Sequence, residues 1–335
     1  MIKVLIVDDS ISIQRILSQI INNTTGMTVI GTAGDPYEAI KILKKIKPDV
    51  ITLDIEMPGM SGISFLKKLM HNMPIPVVMI SSLTQKGATA TIEALSIGAF
   101  DFIGKKSLKT RHDREVFVDE LRSKLKNAAM TGIKKQLQVK TQVTQHSNLA
   151  YNKGIIAIGA STGGVQALNQ LIKTFPKVTP PILIIQHMPE HFTKAFATTL
   201  NRLSKITVKE AEHREMVNNN TAYVAPGNYH MGLKKIGNHY QIELSQKPKV
   251  NRHRPSVDYT FHAIGEYFAS DAIAILLTGM GDDGARGMKY LNNKGVLTIA
   301  ESEASATIFG MPAKAIKLDA VDHILGLKQI SKYLF

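Results

Sequence analysis

The chain has 335 residues, 44% of them hydrophobic, and its 41 Lys and Arg against 27 Asp and Glu give a formal net charge of +14. That length is roughly twice the usual size of a domain, so two separate cores are expected. Cysteine is absent, which excludes disulfides, thiolate metal sites and a cysteine nucleophile, and leaves oxygen or nitrogen to supply any attacking group. The longest apolar runs, IIAIGA, PILIIQ and AIAILLTG, fall far short of the ~20 residues that span a bilayer, and the N-terminus lacks a signal-peptide profile. A cytoplasmic protein is therefore expected. The cations are scattered along the chain without helix-turn-helix or zinc-finger spacing, which favours solubility or an acidic partner surface over nucleic acid.

Residues 2 to 7 (IKVLIV) read as a strand buried on both faces. Ser10 then caps a helix in which Ile13, Ile16, Leu17 and Ile20 recur at helical spacing. Asp35-Pro36 with Glu38 starts a second helix, with Asp35 as N-cap and proline at the first helical position. Strand and helix alternate onward through VITLDI, a helix from Ser61 to His71, PVVMISS, a helix near Ala88 to Ile97, and FDFIG. The pattern predicts an α/β fold with a doubly wound, five-stranded parallel sheet, whose ligands gather at the carboxyl ends of the strands.

Asp8, Asp9, Asp54, Ser81 and Lys105 all fall at such ends. Taken singly, Asp8 and Asp9 also suit a helix cap and its neighbour, and Asp54 a turn. Three carboxylates delivered to one sheet edge repel one another unless a cation sits among them, which predicts a Mg2+ pocket built from Asp8, Asp9 and Asp54. Such a pocket prepares Asp54 to attack a phosphoryl group in line. Lys105 would pair with the acylphosphate, and the Ser81 hydroxyl would follow it as a switch. These residues, with Met57-Pro58-Gly59 after Asp54, make residues 1–122 similar to a two-component receiver domain. Receivers usually follow the lysine with a cis proline, whereas this chain has Lys106.

From Ser123 to Ala150 there is no acidic residue; Lys124, Lys126, Lys134, Lys135 and Lys140 punctuate a stretch that turns rich in Gln, Thr, Asn and Ser. Residues 123–150 are expected to be a basic polar linker, helical at its start, with a docking segment for an acidic partner as the other reading.

After Tyr151 the alternation resumes with GIIAIGASTGG, the helix VQALNQLIKTF, and further strands in PILIIQHMP, TAYVAPGN, AIAILLTGMGDDG and GVLTIAE. Residues 151–335 are therefore expected to form a second, Rossmann-like α/β domain. In IAIGASTGG, Ser161 lies between a buried strand and a helix, flanked by small residues that leave backbone N–H groups open beside its hydroxyl. On that motif alone, a nucleophile turn and a dinucleotide-binding turn are both open, although the pattern is not GxGxxG and no acidic residue ends the next strand. His187 ends that strand, with His191, His230, His253 and His262 as competing bases. His187 and His191 have zinc-pair spacing but lack a third ligand. Ser161, His187 and Asp283 fall at three strand ends, and a triad is defined by its geometry rather than its chain order.

GASTGG (159–164), IIQHMP (184–189), YVAPG (223–227), RPSVD (254–258), LTGMGDDGARGM (277–288) and FGMP (309–312) together make this region strongly similar to the catalytic domain of the chemotaxis protein-glutamate methylesterases. The resemblance implies Ser161 as nucleophile, His187 as base and Asp283, rather than the adjacent Asp282, as its orienting carboxylate, with Thr162 and Met280 helping to form the site and no cofactor for ester hydrolysis. For the whole chain it implies phosphorylation-activated hydrolysis of glutamate γ-methyl esters on chemoreceptors, with receptor glutamine deamidation, and a chemotaxis histidine kinase as phosphodonor. It further implies that the unphosphorylated receiver covers the catalytic cleft until Asp54 is phosphorylated. A phosphorylation-dependent binding regulator with an inert esterase-like domain is the alternative.

Overall fold

The computed structural model describes residues 1–82, 84–105, 110–131, 149–150 and 153–335. The chain divides into two compact units, Met1–Lys135 and Gln136–Phe335.

The first unit carries five strands, β1 (Ile2–Val7), β2 (Met27–Ala33), β3 (Val50–Asp54), β4 (Val77–Ser81) and β5 (Asp101–Gly104), in the order β2-β1-β3-β4-β5 with every pair parallel. The crossovers are helices α1 (Ile11–Asn22), α2 (Pro36–Leu43), α3 (Gly62–Asn72) and α4 (Gln85–Ile97), with α5 (Arg111–Thr131) closing the unit. Strands β3 and β4 are buried along their whole length because helices cover both faces, which is why VITLD and VVMIS show no polar alternation. Local chemistry sets the helix starts: Ser10, Ser61 and Thr84 each accept a hydrogen bond from the first turn, and Asp35 accepts two. Glu38 reaches one residue further back than a capping box requires, to the Gly34 N–H at 2.8 Å. Helix α5 continues to Thr131, so the first nine residues of the expected linker, 123–131, are helical, with Leu125 and Ala128 buried. Most of the remainder of that segment lies outside the described residues, as does Lys106.

The second unit is built on seven parallel strands: β6 (Ile155–Ala160), β7 (Ile182–Gln186), β8 (Thr207–Glu210), β9 (Thr221–Val224), β12 (Ala272–Leu276), β13 (Leu297–Glu301) and β14 (His323–Leu325). Their order is β14-β13-β12-β6-β7-β9-β8. An antiparallel hairpin of β10 (His230–Ile236) and β11 (His239–Ser245), absent from the sequence expectation, is inserted after β9. Helices α6 (Gly164–Ile172), α7 (Phe192–Leu203), α8 (Val257–Gly265), α9 (Ala285–Asn292), α10 (Met311–Lys317) and α11 (Leu327–Leu334) complete the unit. One core cluster joins Ile155, Leu183 and Leu276 of the sheet to Phe261 of α8 and Leu291 of α9, while Met231 brings the hairpin into the same cluster. Each such fully buried side chain contributes about 1.5–3 kcal/mol. Strand β6 is the first in sequence yet lies mid-sheet, between β12 and β7, so the chain reverses its direction of travel there and opens a crevice at the carboxyl ends of these three strands.

No described helix is long and apolar enough to cross a membrane.

Candidate active site

Ser161, His187 and Asp283 enter that crevice from three adjacent strands. Ser161 directly follows β6, His187 directly follows β7, and Asp283 sits in the loop after β12. His187 Nδ1 is 3.1 Å from Ser161 Oγ, and its Nε2 is 2.7 Å from Asp283 Oδ2. An ionised carboxylate only accepts, so the proton belongs on Nε2, and the bare Nδ1 accepts from the serine hydroxyl. Asp282, one residue earlier, is exposed, whereas Asp283 is 1% exposed.

Backbone geometry holds the serine in place. Its N–H donates to Thr278 O at 2.9 Å, and the Gly164 N–H donates back to Ser161 O at 2.7 Å. Both N–H groups are thereby committed within the protein, so the open helix terminus expected at this turn is partly closed. Gly163 adopts φ +82°, and a Cβ there would lie 2.5 Å from Thr307 Cβ, so the turn needs glycine on both counts. The opposite wall is the 278–281 loop, which packs so closely that a Cβ on Gly279 would lie 2.8 Å from Ser161 Cβ. Thr162 and Met280 lie on these two facing loops; Thr278 Oγ1 ties them by donating to Thr162 O at 2.9 Å, and Met280 is 38% exposed. Beneath them Glu301, at the end of β13, accepts from Thr278 N–H and from Ser305 Oγ, each at 2.8 Å, and its burial pushes its pKa up.

The carboxylate of Asp283 accepts four further bonds: from Val257 N–H (2.7 Å) on Oδ2, and from Ser256 Oγ (2.7 Å), Asn251 Nδ2 (2.8 Å) and Asp258 N–H (3.3 Å) on Oδ1. It thus sits on the N-terminus of α8, whose unpaired N–H groups favour an anion. Burial alone would raise its pKa, but the bond to His187, the histidine's charge, and the bonds from Asn251 and Ser256 outweigh that and hold it below the usual carboxylate range. Asp258, which shares the Asn251 amide at 2.6 Å, goes the other way, with burial as the leading cause and the Asp283 charge as a lesser one. One carboxylate is thus kept ionised beside another that resists ionisation.

The competing histidines have other duties. His230 bonds Pro248 O at 3.1 Å, His262 bonds Asp258 O at 2.7 Å, and His191 occupies the N-cap of α7 with φ 74°. His253 lies flat on His187, with ring centroids 3.7 Å apart and planes 6° from parallel. Burial, then the neighbouring His187 charge, lowers its pKa to about 3, so it is a neutral ring at physiological pH. Asn251, Ser256 and Asp258 were not singled out in the sequence, although Ser256 and Asp258 lie within the matched RPSVD, and His253 was weighed there only as a competing base.

A second cluster lies at the carboxyl edge of the first unit's sheet. Ligand oxygens of Asp8, Asp9 and Asp54 all lie within 4.8 Å of one another. Asp8 and Asp54 are buried, and Asp9 is exposed. Lys105 Nζ stands 2.7 Å from Asp54 Oδ2 and 3.2 Å from Asp8 Oδ2, and the latter oxygen is buried without a hydrogen-bond donor. Burial raises the pKa of Asp54 against the Lys105 bond, and Asp8 adds to the rise; for Lys105, burial pulls downward but the Asp54 bond and charge win and raise it. A buried Asp8 oxygen with no partner besides the Lys105 ammonium, an all-oxygen donor set and mutual repulsion are what a hard divalent cation would relieve. Ser81 ends β4 but turns its hydroxyl to α4, donating to Ser82 O at 3.1 Å and accepting from Thr91 Oγ1 at 2.7 Å, while its carbonyl accepts the Lys105 N–H.

Known proteins resemble each of the two units. Residues 156–334 match the family model described as CheB methylesterase, and residues 4–115 match the response regulator receiver domain. The protein-glutamate methylesterase/protein-glutamine glutaminase of Pectobacterium atrosepticum is 45% identical over 99% of this chain and 95% of its own length, and that of Salmonella typhi is 44% identical over 99% and 96%. Among solved structures, the Thermotoga maritima CheB methylesterase catalytic domain is 39% identical, covering 54% of this chain and 97% of its own, with a TM-score of 0.53. The chain therefore belongs to the CheB methylesterase family and carries a response regulator receiver domain ahead of the esterase domain.

Proposed function

We propose that this protein hydrolyses glutamate γ-methyl esters on chemoreceptors, and deamidates receptor glutamines at the same centre, under control of phosphorylation at Asp54. The observation that carries the reading is the relay of Ser161 Oγ, His187 and Asp283 at 3.1 and 2.7 Å. Ser161 attacks the ester carbonyl as its proton passes to His187 Nδ1, and Asp283 balances the imidazolium that forms. The tetrahedral oxyanion is received between the facing loops that bear Thr162 and Met280. His187 returns the proton to the leaving methoxide, which departs as methanol; water, deprotonated by the same nitrogen, then frees Ser161 and leaves a glutamate carboxylate. A glutamine substrate loses ammonia instead, a poorer leaving group that depends more on this proton return.

At the other site, Asp8, Asp9 and Asp54 would hold Mg2+, which when bound neutralises charge on the phosphoryl oxygens. Asp54 is the acceptor, Lys105 pairs with the acylphosphate, and Ser81 is the switch hydroxyl, which must leave its α4 partners to reach it. The reading assigns residues 1–122 to the receiver, 123–150 to a connecting segment and 151–335 to the esterase, places the protein in the cytoplasm, and takes a chemotaxis histidine kinase as phosphodonor. A binding-only regulator has no use for an assembled relay, and it would keep its cellular role in Ser161→Ala. The deciding measurement is methanol release from methylated receptor membranes, with and without a small phosphodonor. Release should rise with the phosphodonor, lose that rise in Asp54→Asn and vanish in Ser161→Ala; no release by wild type, or undiminished release by Ser161→Ala, overturns the reading.

A further inference from the structure

The segment KPKVNRHR, residues 247–254, packs four cations and no acid beside the esterase site. Val250 and His253 exchange both backbone hydrogen bonds, at 3.2 and 2.9 Å, around Asn251 (φ 51°) and Arg252 (φ 68°). A two-residue turn with positive φ at both positions suits Asn at the first and Gly at the second, so an arginine at the second is strained. An outlier of this kind at the edge of an active site asks for a functional reason.

The other residues of the turn are accounted for. Asn251 holds the carboxylates of Asp258 and Asp283, and His253 stacks on His187. Arg254 spends its guanidinium on Gln246 O, Lys247 O and Asn228 Oδ1. Lys247 lies over the Tyr259 ring, on a cleft that also contains Glu243 and Glu266. Lys249 and Arg252 are left, both exposed and neither in an ion pair among the described residues.

Two unpaired cations cannot recognise a methyl ester, which is neutral. They can recognise carboxylates near it, and a protein with several esterifiable glutamates presents such carboxylates wherever a neighbouring ester has already been hydrolysed. We propose that Lys249 and Arg252 form a docking edge for acidic residues flanking the reacting ester on a helical protein substrate. This rests on the esterase reading above. The pair stands on the turn that supplies the ring covering His187, so it adds attraction at the rim without joining the reacting atoms, and the strain at Arg252 is the cost of placing a cation there.

The test uses the full chain treated with a small phosphodonor and two synthetic helical peptides, each with one glutamyl γ-methyl ester. One peptide carries Glu at the positions three and four residues to either side, and the other carries Gln there. At low salt the acidic peptide should be favoured in kcat/KM by about fivefold to tenfold, the sum expected of two exposed ion pairs. The preference should shrink at about 0.5 M NaCl and fall to about one in Lys249→Gln/Arg252→Gly. Because glycine suits the turn, Arg252→Gly alone should match or exceed the wild-type melting temperature. Hydrolysis of neither peptide overturns the esterase reading and the docking edge together. Equal hydrolysis of both, or a preference that survives in the double variant, overturns the docking edge alone.

Discussion

Asp283→Asn removes a formal charge while keeping the shape, and the surroundings of this carboxylate determine how much activity is lost. Five donors converge on its two oxygens: His187 Nε2 and Val257 N–H on one, and Ser256 Oγ, Asn251 Nδ2 and Asp258 N–H on the other. An asparagine has one acceptor oxygen, so one of these sets must meet an amide NH2. If the NH2 faces His187, the imidazole must turn its lone pair to Nε2 and carry its proton on Nδ1, where it confronts Ser161 and cannot accept from it. If it faces the other way, the Asp258 N–H loses its acceptor, which costs about 1–3 kcal/mol when buried, and the imidazolium still forms without a counter-charge. The expected loss in esterase kcat is about 10³- to 10⁴-fold, or about 4–5.5 kcal/mol of transition-state stabilisation. Ser256→Ala removes one donor of the five together with the α8 cap, and should cost at most about 100-fold. Methanol release from methylated receptor membranes, with far-UV circular dichroism as the check on folding, separates these outcomes. A folded Asp283→Asn enzyme within tenfold of wild type would refute the assigned relay.

Gly163→Ala places a Cβ against Thr307 at a positive φ, and a loss of about 2–5 kcal/mol with collapse of esterase activity is expected; an unchanged melting temperature would show that the turn does not need glycine. Glu301 has a folded-state pKa raised by burial, so its contribution to stability is fully present below the ordinary glutamate value and is lost as pH rises through the folded one. Glu301→Gln keeps an acceptor for Thr278 N–H and should flatten the decline of the melting temperature over that upward range; identical pH profiles for the two proteins would contradict it. Mg2+ at tenfold above its Kd should stabilise the receiver by about 1.4 kcal/mol, seen as a raised melting temperature that is lost in Asp9→Ala, and an equal shift in the variant would remove Asp9 from the pocket.

Much of the scaffold was legible because parallel strands buried on both faces leave an unmistakable apolar signature, as in IKVLIV, VITLD and IIAIGA. Residues at the ends of such strands are pinned to one sheet edge by topology alone, and the structure brings Ser161, His187 and Asp283 within bonding distance there. The hairpin of β10 and β11 and the turn at 250–253 were not legible. HMGLKKI alternates weakly, and the turn's function depends on φ values of Asn251 and Arg252 that no periodicity announces. The stacking of His253 on His187 likewise joins residues 66 apart through a loop, where residue type carries little information about direction. The expectation for 123–150 was a polar linker helical at its start, and residues 123–131 form the last part of α5, with Leu125 and Ala128 buried.

His187 uses its ring nitrogens in the reverse sense to the serine proteases, where Nε2 faces the serine and Nδ1 the aspartate. The nitrogen that meets substrate is therefore the one nearest the histidine's own main chain, and the distal tip of the ring is buried against the carboxylate. A haloacetate electrophile held beside Ser161 would accordingly alkylate the π nitrogen and leave the τ nitrogen untouched, giving a regioisomer that chromatography of the acid hydrolysate against the two carboxymethylhistidine standards can tell apart. Inhibitor warheads shaped for the protease arrangement would aim at the wrong atom of this ring.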